Sequence, residues 1–142
     1  MRTTFSVILI SIIVMSCSKN HEKDRKLENF KNQVVGKWEI EKNVCGECSI
    51  SNTTYPEGNG NIIVLSNDGS FERLVHDSLT FRGKFLLSMS EECSSSNPTI
   101  AITTNEISNS TPHFATIESE KLTLSTPNCY ADGSITIYRR IQ

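Results

Sequence analysis

The chain reads as an all-β domain: eight short strands in an up-and-down antiparallel barrel, preceded by one short N-terminal helix. Three observations lead there. After residue 35, short runs alternate apolar with polar residues, the period of a half-buried strand. Short polar connections separate the runs. One of them, Asn67-Asp68-Gly69, suits a tight turn, because Asp-Gly accepts the positive φ angles of hairpins. Finally, strands with one apolar face must hide it, and closing the sheet does so while removing its exposed edges. A two-sheet sandwich with the same number of strands satisfies the pattern equally well.

In chain order, the first element is a leader over residues 1–16. Arg2 gives it a positive start, and Phe5 to Met15 form an apolar run broken only by Ser6 and Ser11. The run is too short to span a bilayer, which takes roughly 20 apolar residues. It fits the apolar region of a secretory signal peptide. Residues 17–26 are polar and charged after Cys17 and read as a flexible tether. The domain is expected over residues 27–142. Leu27, Phe30 and Val34 recur at spacings of three and four, which predicts one short amphipathic helix.

The strands follow. Trp38 and Ile40 alternate with charged neighbours, and Asn61 to Leu65 is a buried-looking run. Ser70 to His76 leads into Leu79 to Ser88, where Gly83 marks a bulge or sharp bend. Thr99 to Thr103, Phe114 to Glu118, Leu122 to Ser125 and Ser134 to Ile141 complete eight. A barrel of that size has an interior just wide enough for side chains or one small ligand.

Removing the first 16 of the 142 residues leaves 126, enough for one domain with a single core. Only Arg2 leaves the charge count, so 13 Lys and Arg remain against 16 Asp and Glu, a net charge of −3. With no basic run either, a nucleic-acid partner is not expected.

The leader ends in Val14-Met15-Ser16-Cys17. A small residue before a cysteine at the cut site resembles bacterial lipoprotein signals, in which the cysteine sulfur is lipidated and becomes the new N-terminus. The resemblance implies a membrane anchor on Cys17 and a place in the cell envelope. Ser18 after the cysteine resembles outer-membrane sorting, because inner-membrane retention signals usually place Asp there.

Gly36-Lys37-Trp38 resembles the Gly-x-Trp signature of lipocalins, and Ile135 to Ile141 resembles their closing strand. The likeness extends to small lipocalin-like lipoproteins of Gram-negative envelopes. It is carried by Asp68-Gly69-Ser70-Phe71, Gly83-Lys84-Phe85, Leu122-Thr123-Leu124 and Cys129, Asp132, Gly133, Tyr138 and Arg140, in order over residues 36–141. In lipocalins an arginine of the last strand lies across the tryptophan at the closed end. A guanidinium over an indole gains roughly 0.5–2 kcal/mol of cation–π attraction. Arg139 shares parity with Ile135, Ile137 and Ile141, so it is the expected partner of Trp38, although the motif itself points to Arg140.

An exported chain meets oxidising conditions, so Cys45, Cys48, Cys93 and Cys129 read first as disulfides. In an up-and-down barrel, Cys45 and Cys48 follow the first strand and Cys129 precedes the eighth. All three then lie at one end, and the two strands become neighbours on closure. A bridge from Cys45 or Cys48 to Cys129 is expected; closing roughly 80 residues contributes about 4–5 kcal/mol in the chain-entropy model. Cys93 falls at the other end without an evident partner. Cys45-Gly46-Glu47-Cys48 lacks the following helix that lowers the pKa of a thioredoxin-type thiol. A zinc site from these cysteines with His76 or His113 would need a second close pair. Neither metal nor cofactor is expected.

Little else points to chemistry. His76-Asp77-Ser78 juxtaposes base, orienter and nucleophile types, but neighbours in a strand point to opposite faces. Glu91-Glu92 lies in a serine-rich, solvated stretch. An enzyme is therefore not expected. The expected function is a lipid-anchored binding module for a small apolar ligand. The cavity candidates are Ile62, Val64, Phe71, Phe85, Ile100 and Ile102. The alternative is a barrel packed solid by those same residues, acting as a structural or protein-interaction module of the envelope.

Overall fold

The computed structural model describes residues 21–45, 52–90, 99–105, 112–127 and 133–142. One helix, α1, covers residues 21–34. Nine strands follow: β1 (Gly36–Cys45), β2 (Thr53–Thr54), β3 (Ile62–Leu65), β4 (Ser70–Val75), β5 (Ser78–Ser90), β6 (Thr99–Thr104), β7 (His113–Glu118), β8 (Lys121–Ser125) and β9 (Ser134–Ile141). Every pairing between them is antiparallel.

Eight of these strands form a closed barrel. From β3 to β9 each strand pairs with the next, and β1 joins β3 on one side and β9 on the other. The eight predicted strands are all present, and closure decides against the open sandwich. The extra strand, β2, pairs with Lys42 and Asn43, above the point where β3 stops pairing with β1. It prolongs the wall there.

Of residues 17–26, expected as a tether, 21–26 are helical, and 17–20 lie outside the described residues. The side chains of 21–26 are exposed, so an apolar pattern could not reveal them. Glu22 and Lys26 instead pair one turn apart, 3.1 Å between charged atoms. Further along, Phe30 and Val34 turn inward and join the core. The helix thus plugs one end of the barrel.

The core occupies that closed end. Phe30, Val34, Trp38, Ile63, Leu65, Phe71, Phe85, Ile102, Ala115 and Leu122 form one buried cluster. Directly paired residues share a face, which fixes the interior positions around the wall: Trp38 with Ile63, Leu65 with Phe71, Leu87 with Ile102. On β1 a bulge between Ile40 and Lys42 changes the inward parity. Trp38 and Ile40 face in below it, and Asn43, opposite Thr136, faces in above it.

Close approach requires glycine at Gly36 and at Gly83. At Gly36 φ is +149°, and a Cβ would sit 2.7 Å from the Arg140 guanidinium. At Gly83 a Cβ would collide with the Asn105 Oδ1 that accepts the Lys84 backbone N–H at 2.7 Å.

Candidate functional site

The closed end is built around Trp38. Its indole N–H donates to the Val34 carbonyl at 2.7 Å, tying the first strand to the end of the helix. Arg140, not Arg139, lies across the ring, its guanidinium carbon 4.2 Å from the ring centroid. The same guanidinium donates to the Val35 carbonyl at 3.1 Å and to the Gln33 carbonyl. These are carbonyls at a helix C-terminus, where a cation is favoured. Glu120 completes the arrangement, 2.7 Å from Arg140 Nε.

The expectation for Arg139 is corrected by the pairing register. Trp38 stands directly opposite Arg140, and Glu39 opposite Arg139. The error lay in taking the isoleucines of β9 as the inner face. Ile135 is exposed, whereas Tyr138 packs on the core. Thr136, Tyr138 and Arg140 therefore face in. Arg139 serves the outside, where it donates to the Tyr55 carbonyl at 2.8 Å and lies 3.6 Å from Glu39. Glu39 is buried there, and its carboxylate accepts the backbone N–H groups of Gly58 and Gly60 at 2.9 and 3.1 Å. The segment after β2 thus clasps the outer wall.

The same parity error affects β3. Of the expected cavity residues, Val64 lies on the outer face and Ile62, of the same parity, reaches only the edge of the open-end recess, while Ile63 and Leu65 fill the interior. Four consecutive branched residues carry no alternation from which to choose a face. Phe71, Phe85 and Ile102 are inside but form the packed core, with Ile100 against them. They plug the closed half instead of lining a cavity.

The open half is different. A recess of about 330 Å³ lies there, lined by Ile40, Asn43, Ile63, Arg73, Thr136 and Tyr138 and bounded by Tyr55, Asn61, Ile62, Leu74 and Val75. Arg73 faces in because it is paired with the buried Ile63 on one side and Phe81 on the other. Asn43 accepts a hydrogen bond from the Thr136 hydroxyl at 3.4 Å. His113, opposite Ile102, also faces in. Burial pushes its pKa down, and the Arg73 charge pushes it down further.

Sequence reasoning assigned no polar group to the barrel's inner face, so it missed Thr136 and the exposed open-end residues Arg73 and Asn43, and it considered His113 only as a zinc ligand. Two signals were present. Arg73 shares strand parity with Phe71, an inner residue. Tyr138, in the motif that the resemblance quotes, shares parity with Thr136.

A second hollow, about 650 Å³, lies outside the barrel between α1 and the closed-end hairpins. Leu27 and Lys31 form one side, Asn67 to Gly69 and Phe85 to Leu87 the other.

His76, Asp77 and Ser78 are exposed at the β4–β5 turn and form no triad. Cys45 is disulfide-bonded. Cys17, Cys48, Cys93, Cys129, Glu91 and Glu92 lie outside the described residues. Among the described residues, no group of three His, Cys, Asp or Glu is placed to hold a metal ion. Nor is any described helix long and apolar enough to cross a membrane. No protein-family model, curated protein or solved structure matches the chain.

Proposed function

We propose that the chain is a lipid-anchored protein of the bacterial envelope, resembling lipocalins, whose barrel binds a small and mainly apolar ligand at its open end. The observation that carries this reading is the division of the barrel. Its closed half is filled by aromatic and aliphatic side chains, and its open half keeps a recess of about 330 Å³. That volume is at the small end of the range for ligand sites. The anchor rests on Val14-Met15-Ser16-Cys17 and the apolar leader before it. The site needs no catalysis, metal or cofactor for this role.

Native mass spectrometry of the protein purified from its own envelope tests the binding function. A co-purifying small molecule is the expected result. A persistently empty barrel, in repeated preparations under mild conditions, counts against it. Labelling with palmitate tests the anchor: wild-type protein should take up label and Cys17→Ser should not.

A second reading, a protein-interaction module, has one specific observation in its favour. Leu86 is 68% exposed beside the outer hollow. Single exposed apolar residues are common on soluble proteins, so the divided barrel carries more weight.

A further inference from the structure

At the closed end, β5 carries a stretch of edge with no strand paired to it among the described residues. β4 accompanies β5 only as far as Lys84, opposite Ser70. β5 runs on to Ser90, paired there with β6 alone. Two hydrogen bonds fix which backbone groups point outward from this overhang. The Asn105 N–H donates to the Lys84 carbonyl at 3.2 Å, and the Phe85 N–H donates to the Gly69 carbonyl at 2.9 Å. Successive residues of an antiparallel strand bond to opposite neighbours. Leu86 and Ser88 therefore bond to β6. Leu87 and Met89 turn their N–H and C=O groups to the side that β4 has left.

Such edges are commonly guarded by charge, by proline or by a covering helix. Leu86-Leu87-Ser88-Met89 carries no charge and no proline. The helix α1 stands off across the hollow of about 650 Å³, with Asp24, Leu27, Glu28 and Lys31 turned to the gap. Gly69 and Leu87 both line that hollow, so it continues the path of β4 along the open edge.

We propose that this edge and the hollow beside it receive an extended, basic peptide segment of a partner protein, which adds a strand to β5 along Leu87 and Met89. The proposal goes beyond ligand binding at the open end and does not depend on it. In strand addition the backbone hydrogen bonds supply affinity, and the surrounding side chains select the sequence. Here they select by charge. Asp24, Glu28 and Asp68 bring three carboxylates to the hollow, against the single ammonium group of Lys31. Lys84 lies 3.6 Å from Asp68, and with it counted the carboxylates still outnumber the cations. The same excess opposes a second copy of this chain, because a two-fold pairing of β5 edges would bring these carboxylates against their own copies. Leu27, Leu86 and Leu87 offer apolar surface to alternate side chains of the segment.

The test uses the full mature chain and three capped peptides of about six residues, a common strand length. One alternates valine with lysine, and one alternates valine with glutamate. The third is the lysine peptide N-methylated at every residue, which keeps the charge and removes the strand donors. Amide shifts and hydrogen exchange are read by NMR at physiological salt. At saturation the valine–lysine peptide should slow exchange at Leu87 and Met89 by about tenfold and leave Leu86 and Ser88, already bonded to β6, unchanged. It should bind about tenfold more tightly than the valine–glutamate peptide. Met89→Pro removes an edge donor without breaking a bond to β6, and should abolish the protection at Leu87. Asp24→Lys combined with Glu28→Lys, both at exposed helical positions, should reverse the preference between the two peptides. A thermal melt shows which variants are folded, and the helix variant leaves β5 untouched. Absence of protection by the valine–lysine peptide overturns the proposal. Equal binding of the N-methylated peptide does so too, because the contact is then one of charge alone. Protection of Leu87 and Met89 that grows with protein concentration in the absence of peptide assigns the edge to a second copy and overturns the partner named here.

Discussion

Arg140 joins three parts of the molecule: the helix end, the Trp38 ring and Glu120 of the β7–β8 turn. Removing it loses the ring contact and leaves the Val35 and Gln33 carbonyls without their charged donor. Arg140→Ala is expected to lower unfolding free energy by about 2–4 kcal/mol. It should also shift the emission of Trp38, the single tryptophan of the chain. Arg139→Ala should destabilise through Glu39 and leave the emission in place, because Arg139 lies on the other face. Urea melts followed by fluorescence separate the two; a larger spectral change in Arg139→Ala would contradict the assignment. His113 gives a pH-dependent prediction. Its folded pKa lies below the ordinary histidine value, so the unfolded chain takes up the proton first as pH falls. Its contribution is fully present above about pH 6.5. It declines as pH drops through the interval down to the lowered folded pKa. In His113→Gln that part of the urea-midpoint profile should be flatter than in wild type.

Among elements, the hairpins show where the sequence was legible and where it was not. The turn at Asn67 to Gly69 was visible because its glycine adopts φ +77°. Two other turns place ordinary residues in the left-handed region: His76 and Asp77 at 49° and 61°, Ser119 and Glu120 at 49° and 64°. Such turns have the right hand for a hairpin and prefer Asn-Gly. Replacing His76-Asp77 by Asn-Gly should therefore raise stability by about 1–2 kcal/mol; a lower denaturation midpoint would refute this. The existence of each barrel strand was readable because alternation and turn chemistry are local. Which face turns inward was not readable in β3 or β9. There Ile62 to Leu65 offers no alternation, and the isoleucines of β9 mark the outer face while the barrel interior takes Thr136, Tyr138 and Arg140. The polarity of the interior decides these faces, and it depends on strands far apart in sequence. For the same reason the recess escaped notice: Arg73 and His113 sit on β4 and β7 and meet only through closure.

For the whole molecule, the anchor proposed on Cys17 makes the helix the link between barrel and membrane. Asp24, Leu27 and Lys31 of α1 line the hollow beside Asn67 to Gly69 at the closed end. Residue 21 is already helical, and Cys17 lies only four residues before it. Four extended residues reach at most about 14 Å. If Cys17 carries the lipid, as proposed above, the closed end is held near the bilayer surface. The open mouth, at the far ends of β1, β4 and β9, then points away from it. A ligand would enter from the aqueous side and not by lateral transfer from the anchoring leaflet. Paramagnetic lipid in vesicles carrying the lipidated protein tests this orientation without any substitution. Amide signals of Asn67 to Gly69 and of Ser119 and Glu120 should broaden most, and those of His76 and Asp77 least. The opposite ranking would place the mouth against the membrane and make the bilayer itself the source of the ligand.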